Sequence, residues 1–137
     1  MITKALTIIL LLFTLNAQAQ ESKPVAVIDL VKIKNSKKEE AVFFYINNWK
    51  VYRDIALRKK YIISYKLLLN QPGSIPDYDI ILITTYKDST QYKNSEANFA
   101  GIIKAERPNG PQLLNEVKPA DFRQNIATQV TNVIASD

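Results

Sequence analysis

The stretch YINNWKVYRDIALRKKYIISY (residues 45–65) passes from a helical pattern directly into a strand pattern, and this change fixes the order of the elements around it. At about 100° per residue, a helix over residues 36–59 gathers its apolar side chains on one broad face. On the opposite, polar side we expect Asp54 and Arg58 to pair. The strand that follows occupies residues 61–69. The apolar face consists of Phe44, Tyr45, Trp49, Val51, Tyr52, Ile55 and Ala56.

Two polar residues do not fit a simple packing face. Asn48 projects into the middle of the apolar face, and Arg53 lies at its edge beside Trp49. A buried amide needs up to four hydrogen-bond partners. Asn48 therefore belongs either to a satisfied core network or to a pocket.

The remaining elements follow from alternation, β-branched content and turn residues. A second helix starts at Asp88 or Ser89, with Gln91 completing a capping box, and runs to about residue 105. The stripe of this helix consists of Tyr92, Glu96, Phe99, Ile102 and Ile103, in which the glutamate is the odd member. The other predicted elements are strands at 25–34, 78–86 and 124–134 and a short helical turn at 111–117.

This order of elements predicts an α+β protein with the ferredoxin-like βαββαβ arrangement. Such a fold has a four-stranded antiparallel sheet with two helices on one face. The strands at 25–34, 61–69 and 78–86 are nevertheless apolar on both faces. We therefore expect a second copy of the chain to cover the helix-free face, which makes a homodimer.

The amino terminus has the pattern of a secretory signal peptide. Lys4 precedes an apolar run, and Ala17-Gln18-Ala19 has the small residues of a cleavage site. We predict a signal peptide at residues 1–19 and a single domain at residues 20–137. The apolar run is too short for a transmembrane helix, so the mature protein is expected to be exported, periplasmic or secreted, and free of the membrane.

The composition excludes several chemistries. The chain contains no histidine and no cysteine, which removes the usual imidazole base, the thiolate nucleophile and the common zinc ligands. A Ser-His-Asp triad, a histidine-ligated haem and a disulfide framework are excluded as well. We expect neither a metal nor a cofactor. The net charge of +5 is spread along the chain, so nucleic acid is not an expected partner.

With this element order, residues 25–134 resemble the dimeric α/β-barrel superfamily. The segments NNWKVYRDIA, YDIILITTY and SEANF are similar to stretches of small exported bacterial members of unassigned function. The resemblance implies two ferredoxin-like subunits packed sheet to sheet, each with a cavity between its sheet and helices. The superfamily includes cofactor-free monooxygenases, haem-degrading enzymes, dismutase-like proteins and stress-responsive dimers. Its haem-dependent branches generally use a histidine, which this chain lacks.

The candidate ligand-binding site combines polar and aromatic residues of both helices. For the aromatic members the alternative is core packing, and for Arg53 and Glu96 it is a mutual salt bridge that fastens the helices. Asp29, Tyr65 and Tyr86 lie on strands beside this set. The predicted ligand-binding residues are Asn48, Trp49, Tyr52, Arg53, Glu96 and Phe99.

The sequence favours an exported dimer that binds a small aromatic or anionic molecule. The first alternative is a cofactor-independent monooxygenase or isomerase-like enzyme. In that enzyme Arg53 would hold an anionic or enolate oxygen, Asn48 would orient it, and Glu96 would act as a buried base. The second alternative is a purely structural or stress-responsive dimer.

Overall fold

The computed structural model describes residues 22–73 and 77–136, so the predicted signal peptide lies outside the described residues. Four strands and five helices follow one another along the chain, and a π-helical segment joins the first two helices. The bounds are β1 Val25–Ile33, α1 Lys38–Phe44, the π segment Tyr45–Trp49, α2 Lys50–Arg58, β2 Ser64–Leu69, β3 Ile80–Tyr86, α3 Ser89–Lys93, α4 Ser95–Glu106, α5 Pro119–Phe122 and β4 Arg123–Asn132.

The four strands form one antiparallel sheet in the order β2-β3-β1-β4. The central strand β1 pairs with β3 on one side and with β4 on the other. The predicted ferredoxin-like α+β fold is therefore confirmed. All four predicted strands are present, with ends that differ from the prediction by at most three residues.

The helices pack on one face of this sheet. Val31 and Leu82 lie in one hydrophobic cluster with Trp49, and Tyr86 lies in a second cluster with Ala56 of α2. Because side chains alternate along a strand, the residues between these positions point to the opposite face. That helix-free face carries an apolar patch consisting of Ile28, Leu30, Leu68, Ile81 and Ile83, which are paired across the strands.

The long first helix is interrupted by the π segment. Along this segment the side-chain Nδ2 groups of Asn47 and Asn48 donate to the carbonyl oxygens four residues earlier, Phe43 O at 2.9 Å and Phe44 O at 3.0 Å. Single π turns of this kind occur often at functional sites. The segment buries Asn48 and Trp49 together, which a regular helix places about 100° apart.

Three local predictions are corrected by the structure. The second helix is divided into α3 and α4, which are separated at Asn94. The predicted helical turn at residues 111–117 is absent, and a short helix forms instead at Pro119–Phe122, where proline occupies the first turn as helices prefer. Asp54 pairs with Lys50, at 2.8 Å, rather than with Arg58.

The capping box of α3 is confirmed. The Asp88 side chain accepts from Gln91 N at 2.7 Å, and Gln91 Oε1 accepts from Lys87 N at 2.7 Å. Within the described ranges, no helix has the length and apolar character that are needed to cross a bilayer.

Replacing Asp88 by alanine is expected to lower the free energy of unfolding by about 1 kcal/mol, because the Gln91 amide in the first turn of α3 loses its cap. Ser89→Ala is the matched control, since Ser89 is exposed and makes no cap. Urea denaturation of both variants measures the difference. Equal stabilities would show that the cap contributes nothing.

Candidate functional site

A cavity of about 270 Å³ lies between the sheet and the helices. Its floor is formed by β1, β3 and β4, and its walls by the first helical unit and one residue of α4. The lining is mostly aromatic and aliphatic, with two arginines, one carboxylate and one amide. The lining residues are Asp29, Val31, Phe44, Tyr45, Trp49, Tyr52, Arg53, Leu82, Ile103, Arg123 and Asn125.

Three contacts orient the guanidinium of Arg53 in this cavity. Its guanidinium carbon lies 4.4 Å from the ring centre of Trp49 and 4.1 Å from that of Phe99. Arg53 Nε also donates to Thr84 Oγ1 on β3, at 3.3 Å. Two ring faces and one hydroxyl therefore hold the guanidinium in one orientation, while its two terminal nitrogens make no hydrogen bond within the described residues.

The predicted salt bridge between Arg53 and Glu96 does not form. Neither residue takes part in an ion pair within the described parts of the chain. Burial lowers the pKa of Arg53 to about 10, so the guanidinium keeps its charge at neutral pH. Arg53 is thus a half-buried cation without an ion-pair partner within the described residues, and perturbed groups of this kind are frequent at functional sites.

Glu96 is not part of the cavity lining. It lies in the first turn of α4, where the positive end of the helix dipole favours a carboxylate. Its side chain is exposed. The sequence pattern placed it on the buried stripe because it assumed one continuous helix.

Asn48 belongs to a satisfied core network rather than to the cavity. Its side chain is fully buried. Nδ2 donates to Phe44 O and to Gln112 O, at 3.0 and 2.8 Å. Oδ1 accepts from Gln112 N at 2.8 Å and from Arg107 Nε at 3.3 Å. All four hydrogen-bonding positions of the amide are filled, so Asn48 has no capacity left for a ligand.

The predicted aromatic residues contribute to the site in different ways. Trp49 and Tyr52 line the cavity, whereas Phe99 touches it through Arg53. Tyr65 lies against Trp49, with ring centres 5.6 Å apart, and donates its hydroxyl to Asp54. Tyr86 packs against Tyr92 outside the lining.

Arg123 is a member of the site that the sequence analysis missed. It opens β4, and its guanidinium carbon lies 5.1 Å from the ring centre of Phe44. Nη1 donates to the Tyr45 hydroxyl at 3.3 Å, while Nε is buried and has no hydrogen-bond partner within the described residues. A buried donor without a partner requires an explanation, and an acceptor on a ligand in the cavity would supply one.

A β-bulge in β4 adds the remaining polar groups. Val31 is opposite Asn125 and Leu30 is opposite Ala127, so Ile126 is an extra residue. Bulges re-aim side chains and are frequent beside active sites.

This bulge places both Asn125 and Thr128 on the helix side of the sheet. Asn125 Nδ2 donates to Thr128 Oγ1 at 3.1 Å, and Thr128 Oγ1 donates to Asp29 Oδ1 at 2.5 Å. The single carboxylate in the cavity lining is therefore held by β4.

Comparison with known proteins identifies the fold and nothing finer. No family model matches the chain, and no curated protein matches its sequence. The crystal structure of HapK from Hahella chejuensis is similar, with a TM-score of 0.51 at 10% identity over 82% of this chain and 95% of that one.

Two further solved structures are less similar. A candidate monooxygenase from Shewanella loihica PV-4 has a TM-score of 0.48 at 17% identity, over 84% of this chain and 98% of that one. A dimeric ferredoxin-like protein of unknown function from Bacteroides fragilis NCTC 9343 also has a TM-score of 0.48, at 16% identity over 80% and 94% of the two chains. The strand order β2-β3-β1-β4 and the likeness to HapK identify the ferredoxin-like fold.

Proposed function

We propose that the protein binds a small organic anion in the cavity between sheet and helices. The observation that carries this proposal is the state of Arg53, which is half-buried, oriented by Trp49 and Phe99, and free of any ion pair within the described residues. Removing a cation from water is costly unless a partner of opposite charge compensates. A carboxylate or enolate group on a ligand would supply that partner.

The shape and lining of the cavity narrow the class of ligand. A volume of about 270 Å³ is just below the ~300–1,000 Å³ of pockets for drug-sized molecules. The walls include Phe44, Trp49 and Tyr52, whose rings favour packing against a flat, apolar part of a ligand. We infer that the ligand is a single-ring or similarly compact acid.

The enzymatic alternative depends on residues that the structure does not bring together. It required Glu96 as a buried base and Asn48 as an orienting group. Glu96 is exposed and Asn48 is fully occupied by protein partners. A binding function needs only the cavity, its rings and its cations.

We further propose that the protein is exported and acts as a homodimer through the helix-free sheet face. The amino-terminal sequence supports export. The apolar patch on the sheet supports the dimer, because large exposed patches of this kind mark interfaces or lead to aggregation.

Replacing Arg53 by methionine is expected to weaken the binding of benzoate at least about tenfold, because the charge that faces the carboxylate is removed. The unfolding free energy should change by less than about 1 kcal/mol, since the lost contacts are offset by the removal of a desolvated charge. Isothermal titration with benzoate and urea denaturation measure the two effects.

Arg58→Met is the matched control, because Arg58 lies on the same helix but is exposed and distant from the cavity lining. Benzamide is the control ligand, since it has the same ring without a charge and should bind more weakly than benzoate. If benzoate fails to bind the unaltered protein, or binds Arg53→Met equally well, the proposed function is wrong. The purely structural dimer would then be favoured.

A further inference from the structure

We propose that Asp29 makes this cavity selective for ligands that carry one negative charge, and that it rejects dianions. This inference rests on the proposed function. The cavity lining contains three formal charges, namely the cations Arg53 and Arg123 and the anion Asp29. Their sum is a single positive charge, which one carboxylate neutralises.

Asp29 is fixed in position by the sheet. It lies directly opposite Thr128 in the β1–β4 register, and the Thr128 hydroxyl donates to Oδ1 at 2.5 Å. The bulge at Ile126 brings Asn125 to the same side, where it supports Thr128. The carboxylate therefore cannot swing out of the cavity without losing this network.

Asp29 does not pair with either arginine. No salt bridge involves Asp29 within the described residues. Its hydrogen bond in this part of the chain is the one that Oδ1 accepts from Thr128. Oδ2 accepts none from these residues and is open to a ligand. Its charge still acts across the cavity, because it favours the charged form of Arg53 and disfavours ionisation of Tyr45. The carboxylate is thus close to both the cationic wall and the space that a ligand would fill.

The effect on ligands of different charge follows from Coulomb's law. A monoanion gains from two arginines and is repelled once by Asp29. For a dianion the attraction to the arginines and the repulsion by Asp29 both double, whereas the cost of removing the ligand from water rises about as the square of its charge. The single net positive charge that Asp29 leaves in the lining neutralises only one of the two ligand charges, so the second stays uncompensated in a partly desolvated site. Rejection by a like charge is a common source of ligand specificity.

The test compares benzoate with phenyl phosphate at pH 8, where the phosphate ester carries close to two charges because its second pKa is about 6. Isothermal titration of the unaltered protein should give tighter binding of benzoate. In Asp29→Asn, which can still accept from Thr128, the preference for benzoate should fall at least about tenfold. Asp29→Ser, a smaller neutral residue, should give the same change.

Asp77→Asn is the control. Asp77 is exposed beside Lys32 and is not part of the cavity lining, and its substitution changes the net charge by the same amount as Asp29→Asn. This variant should keep the original preference. Two results would contradict the selectivity role of Asp29 and leave the binding function standing. In the first, Asp29→Asn and Asp29→Ser both keep the preference for benzoate. In the second, the unaltered protein binds phenyl phosphate as tightly as benzoate. If neither probe binds, both proposals are overturned.

Discussion

Replacing Asn48 by alanine is expected to lower the free energy of unfolding by about 3 kcal/mol or more. The substitution leaves Gln112 N and Gln112 O without their partner and removes one of the bonds of Arg107. A group that loses its partner costs about 1–3 kcal/mol where it stays shielded from water, and both contacts with Gln112 are partly buried. The connection between α4 and β4 would also lose its main attachment to the helix. Urea denaturation, read by tryptophan fluorescence, measures the loss.

Asn47→Ala is a demanding control for this result. Asn47 is the neighbouring residue of the same π segment, and its amide makes one hydrogen bond, to Phe43 O, from a half-exposed position. Its removal should cost less than about 1 kcal/mol. Equal losses for the two variants would show that Asn48 has no special role in fastening the loop.

Replacing Ile28 by lysine is expected to convert the proposed dimer into a monomer, with a dissociation constant raised at least about 100-fold. Ile28 lies on the central strand, opposite Ile83, in the apolar patch of the helix-free face. Burying an unpaired ammonium in an interface costs several kcal/mol. Sedimentation velocity at micromolar concentration distinguishes the two states.

Ala100→Lys is the control for the added charge, because Ala100 is exposed on α4, on the helix side of the sheet. This variant should remain dimeric. If the unaltered protein sediments as a stable monomer without aggregating, the sheet face is not an interface between copies. An Ile28→Lys variant that stays dimeric would place the interface elsewhere.

Element order and strand positions could be predicted from the sequence because each depends on local pattern. The continuous apolar run in Ile80–Tyr86 and the β-branched run in Val25–Ile33 specify strands regardless of what packs on them. The capping box at Asp88 and Gln91 is local as well. These features account for the confirmed fold.

The surroundings of Asn48, Glu96 and Arg123 could not be predicted, because each depends on a departure from the regular helix or strand that the pattern assumes. Asn48 lies in the π segment and bonds to Gln112, 64 residues away along the chain. Glu96 lies in the first turn of the separate helix α4 and is exposed.

The bulge at Ile126 breaks the alternation of β4, so the sequence pattern did not show that Arg123 and Thr128 share one face. Trp49, Tyr52 and Arg53 line the cavity, and helical spacing alone already placed them near one another. Whether they bind a ligand stays a prediction.

The π segment Tyr45–Trp49 has a consequence for the comparison of related chains. A π turn holds one residue more than the α-helical turn that replaces it. A relative with an unbroken α-helix here should therefore align with a gap of one position within residues 45–49. An alignment forced without that gap would pair Trp49 and Arg53 with residues turned by about 100°, and would conceal the correspondence of their sites.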